Sequence, residues 1–145
     1  MESLEKLKPL ALLLLRLGLG VIFIYHGYPK LFTHTRETLA AFHHMGFPPA
    51  LAYVAGVIEF FGGCLLVVGL FTRIAGLLIA GEMAVALIQV HKLLSEPRAV
   101  GNYEFPLALA VGAFALAAVG PGLISLDHAI YGHKSSPPRK AKSKS

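Results

Sequence analysis

The chain has no tryptophan, a single cysteine and few charged residues. Cys64 has no second cysteine with which to form an internal disulfide. This excludes the four-helix membrane oxidoreductases that exchange thiols and disulfides, because they need paired cysteines. Only 14% of the 145 residues are charged, and they collect near the ends and in two short stretches. The shortage of charge elsewhere leaves long apolar runs, a distribution typical of membrane proteins.

Four apolar runs are each long enough to cross roughly 30 Å of hydrocarbon. They are residues 9–28, 50–70, 74–94 and 105–123. We predict an all-α fold in which residues 1–131 form a single domain, an integral membrane four-helix bundle. The first run does not resemble a cleavable signal, because its apolar core is too long, Arg16 interrupts it and no small-residue cleavage site follows.

A shorter segment, residues 35–45, has the pattern of an amphipathic helix. Leu39 and Phe42 recur at helical spacing, Thr35 can cap the helix and Gly46 can end it. The segment is too short and too polar to span a membrane. We expect it in the first extracytoplasmic loop, on the outer surface or as a lid over the bundle.

The net charge of +5 would suit a nucleic-acid partner, but the positive residues are placed as in a membrane protein. Residues 132–145 contain mainly Ser, Pro and Lys and are predicted to be a disordered basic tail. Eight basic residues fall on the side of the two termini and four on the other, which favours both termini in the cytoplasm. The first group is Lys6, Lys8, Arg73, Lys134, Arg139, Lys140, Lys142 and Lys144, and the second is Lys30, Arg36, Lys92 and Arg98. We therefore predict a multi-pass membrane protein whose partner is the lipid bilayer, with no nucleic acid.

Three charged residues lie within the apolar runs: Arg16, Glu59 and Glu82. A charge at this depth costs roughly 2.5–3.5 kcal/mol on insertion scales, so such residues usually face protein and mark function. Glu59 shares a helical stripe with small residues, which points it into the bundle: Ala52, Ala55, Gly56, Gly62 and Gly63. One interpretation is a catalytic site in which the carboxylates relay protons to a quinone and Arg16 holds an anion or a quinone carbonyl. The alternative is a buried ion pair between Arg16 and one glutamate that fixes the helix register.

A second group of polar residues falls toward the opposite ends of the helices from the termini. It comprises His26, Lys30, His91 and Glu104, with Gln89 on the same helix face as Glu82. We predict that these five bind substrate at the outer entry, where histidine can move protons near neutral pH. The alternative is that the histidines are interfacial and solvated by headgroups. We predict no metal site, since adjacent residues such as His43 and His44 point about 100° apart on a helix.

A series of short motifs resembles the DoxX-like family of bacterial inner-membrane proteins. The motifs follow one another in order over nearly the whole chain up to about Tyr131. They are Arg16-Leu-Gly-Leu-Gly20, His26-Gly27-x-x-Lys30-Leu31, Gly46-Phe-Pro, Glu59-Phe-Phe-Gly62-Gly63, Gly69-Leu-Phe-Thr-Arg73, Tyr103-Glu104-Phe-Pro106, Gly120-Pro121-Gly122 and Ser125-Leu-Asp127. Each motif is short, and the specificity lies in the series.

The resemblance implies a four-helix inner-membrane protein with a redox-linked role. One branch of the family resembles a subunit of thiosulfate:quinone oxidoreductase, and others are linked to catechol, quinone, thiol or oxidative stress. The function expected here is a subunit or oxidoreductase that acts on a small-molecule substrate with the quinone pool, with quinone as the cofactor. The alternatives are a non-catalytic anchor for a soluble redox partner, and a small-solute transporter whose pore would require a homo-oligomer.

Overall fold

The computed structural model describes residues 1–92, 94–95 and 97–132, and within this part of the chain the fold is all-α with no strand. Of the predicted tail, 132–145, only Gly132 falls within the described residues. The elements in order are α1 (Glu2–Glu5), α2 (Lys8–Tyr28), a π-helical turn (Pro29–Thr33), α3 (Thr35–His44), α4 (Ala50–Val68), α5 (Thr72–Gln89), α6 (Val100–Val119) and α7 (Leu126–Tyr131).

Four helices are long and apolar enough to cross a membrane: α2 with its π-helical turn, α4, α5 and α6. The predicted all-α membrane bundle is therefore confirmed. Because the four helices alternate in direction, α3 lies at one end of the bundle and α1 and α7 at the other. We call these the α3 end and the α7 end.

Helices α2 and α4 pack with their backbones nearly in contact. A methyl group added to Gly27 would overlap the backbone nitrogen of Phe60, and one added to Gly63 would lie 2.7 Å from the carbonyl oxygen of Gly20. Small residues allow this approach in a membrane, where the gain comes from van der Waals packing. Gly63, which belongs to the predicted small-residue stripe of Glu59, thus faces another helix.

Helices α5 and α6 form a second close pair, in which Gly76 lies against the carbonyl oxygen of Ala113. The two pairs join through α4 and α5, where Gly62 lies against Ile79. Fully buried apolar side chains fill the centre, among them Phe23, Leu66, Ile79 and Leu116. The core therefore lies between the helices toward the α7 end.

Helix α2 does not stop at Pro29 but continues as a π-helical turn to Thr33. Proline has no backbone N–H to donate to a carbonyl four residues earlier, so the regular α-helical bond is lost at this point. The backbone N–H of His34 instead donates to the oxygen of Pro29 at 2.8 Å, five residues back. Such widened turns occur often at functional sites, and this one carries Lys30.

The predicted short helix is present as α3, and it packs against α4 and the π-helical turn. Thr35 does not cap it, because Thr35 is its first residue and His34 is the N-cap. The C-terminal prediction is confirmed: Gly46 has a φ of +82° and the N–H of Phe47 donates to the oxygen of Phe42 at 2.9 Å. This is a Schellman ending, which requires a left-handed residue where glycine is favoured.

At the α7 end, Asp127 caps a helix more than fifty residues away in sequence. Its carboxylate accepts from the N–H of Phe71 at 2.7 Å and of Thr72 at 2.9 Å, the first amides of α5. Ser125 caps α7 by accepting from the N–H of His128 at 3.1 Å. The bonds of Asp127 fix the C-terminal segment to the α4–α5 turn.

Candidate functional site

The centre of the candidate site is an ion pair between Lys30 and Glu59. The Nζ atom of Lys30 donates to Oε2 of Glu59 at 2.5 Å. Glu59 is 3% exposed and lies midway along α4, while the side chain of Lys30 is 24% exposed. The lysine starts beside Gly56, which is one turn nearer the α3 end, and extends along α4 to the carboxylate. A side chain at Gly56 would overlap the side chain of Leu31 and crowd the Cβ of Lys30.

Glu82 of α5 joins this pair, because the antiparallel register of α4 and α5 places it opposite Glu59. The contact between Gly62 and Ile79 fixes that register. From Gly62, three residues back along α4 is Glu59, and from Ile79, three residues forward along α5 is Glu82. Because the two helices are antiparallel, both steps lead toward the α3 end. Glu82 lies close enough to Glu59 and Lys30 to interact electrostatically with both. We call Lys30, Glu59 and Glu82 the buried cluster.

One polar atom of the buried cluster has no partner. Oε2 of Glu82 is buried and makes no hydrogen bond within the part of the chain that the structure describes. A carboxyl oxygen can accept a hydrogen bond, so this atom is open to a ligand.

The structure does not bring Arg16 to either glutamate, so the alternative interpretation, an ion pair between Arg16 and one glutamate, is wrong. Its Nη2 donates to the carbonyl oxygen of Ile124 at 2.7 Å, and its charge interacts with that of Asp127. The residue is 1% exposed and lies against Gly69, at the α7 end. The C-terminal segment folds back over the bundle, and its residues Ile124 and Asp127 interact with Arg16 in place of a glutamate.

The other predicted site residues do not join the buried cluster. His26, Gln89 and Glu104 are exposed. The ring of His26 bonds within its own helix, to the oxygen of Ile22 at 2.8 Å, and lies 6.4 Å from the ring of Phe105. His91 lines a separate cavity of about 310 Å³ at the α3 end, together with Val90, Lys92 and Asn102. Of the five predicted substrate-binding residues, only Lys30 therefore reaches the intramembrane glutamates.

A second cavity, of about 530 Å³, opens at the α7 end between the α4–α5 turn and the segment that includes α7. Its lining includes Arg73, whose guanidinium donates to the last carbonyls of α6, those of Ala117, Ala118 and Val119. Its other charged lining residue is Asp127, which caps α5. Arg73 and Asp127 are therefore already hydrogen-bonded to helix ends. Within the described residues, no group of three or more His, Cys, Asp or Glu side chains could hold a metal.

Sequence reasoning found all three members of the buried cluster but not the bond between Lys30 and Glu59. The signal was available in the spacing of small residues. Gly27 and Gly56 each permit a close helix contact, and antiparallel packing of α2 on α4 then places position 30 beside α4. The first predicted run ends at residue 28, so Lys30 was assigned to the entry at the end of that helix. The π-helical turn instead carries the lysine onto α4.

The comparisons with known proteins identify the family. A model of the DoxX family matches residues 11–92. The chain is 38% identical over 124 residues to "Putative oxidoreductase CatD" of Bacillus subtilis (strain 168), covering 86% of this chain and 90% of that protein. It is 38% identical over 130 residues to "Inner membrane protein YphA" of Escherichia coli (strain K12), covering 83% and 90% of the two chains. No solved structure matches the chain.

The matched region, residues 11–92, covers more than half of the chain. It contains Arg16 and all three members of the buried cluster. The motifs, the four-helix fold and these matches agree: the chain belongs to the DoxX family.

Proposed function

We propose that this chain is a redox-linked protein of the inner membrane that works with the quinone pool, as an oxidoreductase or as the membrane subunit of one. The observation that carries the proposal is the buried cluster: three titratable groups that interact in the middle of a membrane bundle, two of them as a hydrogen-bonded ion pair. Intramembrane ionisable residues are expensive and usually mark proton relays or substrate sites. A relative whose name includes oxidoreductase and relatives named as inner-membrane proteins support the same proposal.

The residues of the buried cluster fit the needs of a quinone. A quinone takes up two electrons and two protons when it is reduced to a quinol. The unpartnered Oε2 of Glu82 can hydrogen-bond a ligand oxygen, as donor or acceptor according to where its proton sits. The carboxyl groups of Glu59 and Glu82 would pass these two protons on one at a time, and the ammonium of Lys30 would balance the charge. The electrons would come from a small reduced substrate such as a thiol, thiosulfate or catechol, or from a soluble redox subunit.

The orientation proposed for the chain follows from the distribution of basic residues. Eight lie on the side of the termini and four on the other, and basic residues favour the cytoplasm. The α7 end would then face the cytoplasm and the α3 end the outside. On this orientation Lys30 approaches Glu59 from the outer half of the bundle.

The test is quinone binding and turnover by purified protein in lipid nanodiscs. We expect the wild type to retain a quinone from the membrane, and Glu59→Gln to abolish quinone-linked oxidation of the substrates named above. Glu37→Gln, which removes an exposed carboxylate on α3, is the matched control and should leave turnover unchanged. A wild-type protein that binds no quinone, together with turnover that Glu59→Gln does not alter, would rule the proposal out.

A further inference from the structure

The surroundings of the buried cluster differ sharply between its two sides. Toward the α3 end, Lys30 connects Glu59 to the surface, since 24% of the lysine side chain is exposed against 4% for that of the glutamate. The lysine enters from the π-helical turn, which begins only one residue after α2 ends. On this side, the side chain of Lys30 alone connects the carboxylate of Glu59 to the surface.

Toward the α7 end, the helices carry almost no polar side chains for several turns. The stretches concerned are residues 17–24 of α2, 60–68 of α4, 74–81 of α5 and 109–119 of α6. Their side chains are apolar or absent, apart from the thiol of Cys64. We call these four stretches the apolar layer.

The apolar layer is also tightly packed. Leu66, Ile79 and Leu116 are each 0% exposed, and close backbone contacts at Gly20 and Gly63 lie within it. The next charged group is Arg16, beside Gly69, ten residues along α4 from Glu59. At 1.5 Å per residue this is a separation of about 15 Å along the helix axis. A proton crossing that distance would need a chain of water or polar groups, and these stretches supply no polar partners for one.

We infer that the buried cluster exchanges protons with the α3 end of the bundle only, and that the apolar layer closes it from the α7 end. The proton exchange rests on the proposed function, while the closure rests on packing alone. The chain then does not conduct protons or small cations through the membrane, and protons released by a substrate in the bundle leave on the side of α3. Access from one end only suits a redox site, whereas the small-solute transporter considered above would need access from both ends.

The first experiment measures access with single cysteines in a Cys64→Ala background. Lys30→Cys and Glu59→Cys report on the cluster, while Glu37→Cys in α3 and His128→Cys in α7 mark the two ends, both residues being exposed. A charged thiol reagent that cannot cross the membrane is applied to right-side-out and to inside-out vesicles. The two markers identify the ends directly, so the result does not depend on the orientation of the protein in the cell.

We expect Lys30→Cys to be labelled from the same side as Glu37→Cys, about tenfold or more faster than from the other side, because a charged reagent does not cross hydrocarbon. Labelling of either cluster cysteine from the His128→Cys side would overturn the inference. So would a Lys30→Cys protein that is labelled from neither side. If Glu59→Cys does not fold, Lys30→Cys still decides the question.

The second experiment measures passive proton flux into proteoliposomes that contain a trapped pH dye, after a potassium-diffusion potential is applied. We expect the wild-type rate to equal that of protein-free liposomes, and a faster rate would overturn the inference. Neither measurement uses a quinone. A failure of quinone turnover therefore leaves the closure standing, and leakage through the bundle leaves the quinone proposal to its own test.

Discussion

The ammonium of Lys30 lies 2.5 Å from the carboxylate of Glu59, although the two residues are 29 positions apart and belong to different helices. The lysine reaches this position because a π-helical turn extends α2 and because Gly56 lets that turn, through Leu31 and the Cβ of Lys30, pack closely on α4. The pair links the end of one membrane helix to the middle of another. It therefore contributes both to the packing of the bundle and to the chemistry proposed for it.

Replacement of Lys30 by methionine should destabilise the protein, because it leaves the carboxylate of Glu59 buried without its partner. The cost of breaking a buried pair is about 3–5 kcal/mol, and we expect the lower end because Lys30 is partly exposed. Thermal unfolding in detergent measures the effect, with Arg36→Met on the exposed face of α3 as the control. The double variant Lys30→Met/Glu59→Gln should recover part of the loss, since it removes both charges. A Lys30→Met protein as stable as the control would contradict the pairing.

Substitution of glycine by alanine should separate the close helix contacts from the open positions. Gly27→Ala should destabilise the protein by about 1–3 kcal/mol, because the added methyl group would overlap the backbone of Phe60. Gly18→Ala and Gly81→Ala meet nothing within 4 Å and should be neutral or stabilise by up to about 1 kcal/mol, through the better helix propensity of alanine. Unfolding in a denaturing detergent ranks the three variants. Equal effects at all three positions would show that α2 and α4 do not pack as described.

Removal of the carboxylate of Asp127 should loosen the start of α5. Asp127→Ala takes away the acceptor for the amides of Phe71 and Thr72, and the loss of a helix cap costs about 0.5–2 kcal/mol. Hydrogen exchange at these two amides should accelerate, while exchange in the middle of α5 should change little. Glu5→Ala in the exposed α1 removes a carboxylate that caps nothing in the structure and serves as the control. Unchanged protection of the two amides in Asp127→Ala would exclude the cap.

Variants of Arg16 should change stability without changing the chemistry of the buried cluster. Arg16→Lys shortens the side chain and weakens the bond to Ile124, at a cost of about 1.5–3 kcal/mol for a lost hydrogen bond to a charged group. Quinone-linked turnover per folded molecule should remain at the wild-type level, because Arg16 lies about 15 Å from the level of Glu59 along α4. Loss of turnover in a folded Arg16→Lys protein would restore this residue to the catalytic site.

The sequence predicted which helix faces pack together far better than it predicted which charged side chains bond to each other. Helical periodicity placed Glu59 on the small-residue stripe of α4, and the structure buries it there. Periodicity cannot say where the end of a long side chain lies, and it assumes an unbroken α-helix. Lys30 was misplaced because the π-helical turn changes the periodicity after Pro29. Arg16 was misplaced because its partner, the carbonyl of Ile124, is a backbone group whose position depends on how the last segment folds back.

The dependence of α5 on Asp127 has a consequence for biosynthesis. Chains are made from the N-terminus at about 5–20 residues per second, so α4 and α5 are complete well before residue 127 exists. During that interval the first amides of α5 lack their carboxylate, and Arg16 lacks the carbonyl of Ile124. The C-terminal segment therefore completes this end of the bundle only after all four membrane helices have been made. A chain that stops before Asp127 would contain all four membrane helices and would still be unfinished at its α7 end.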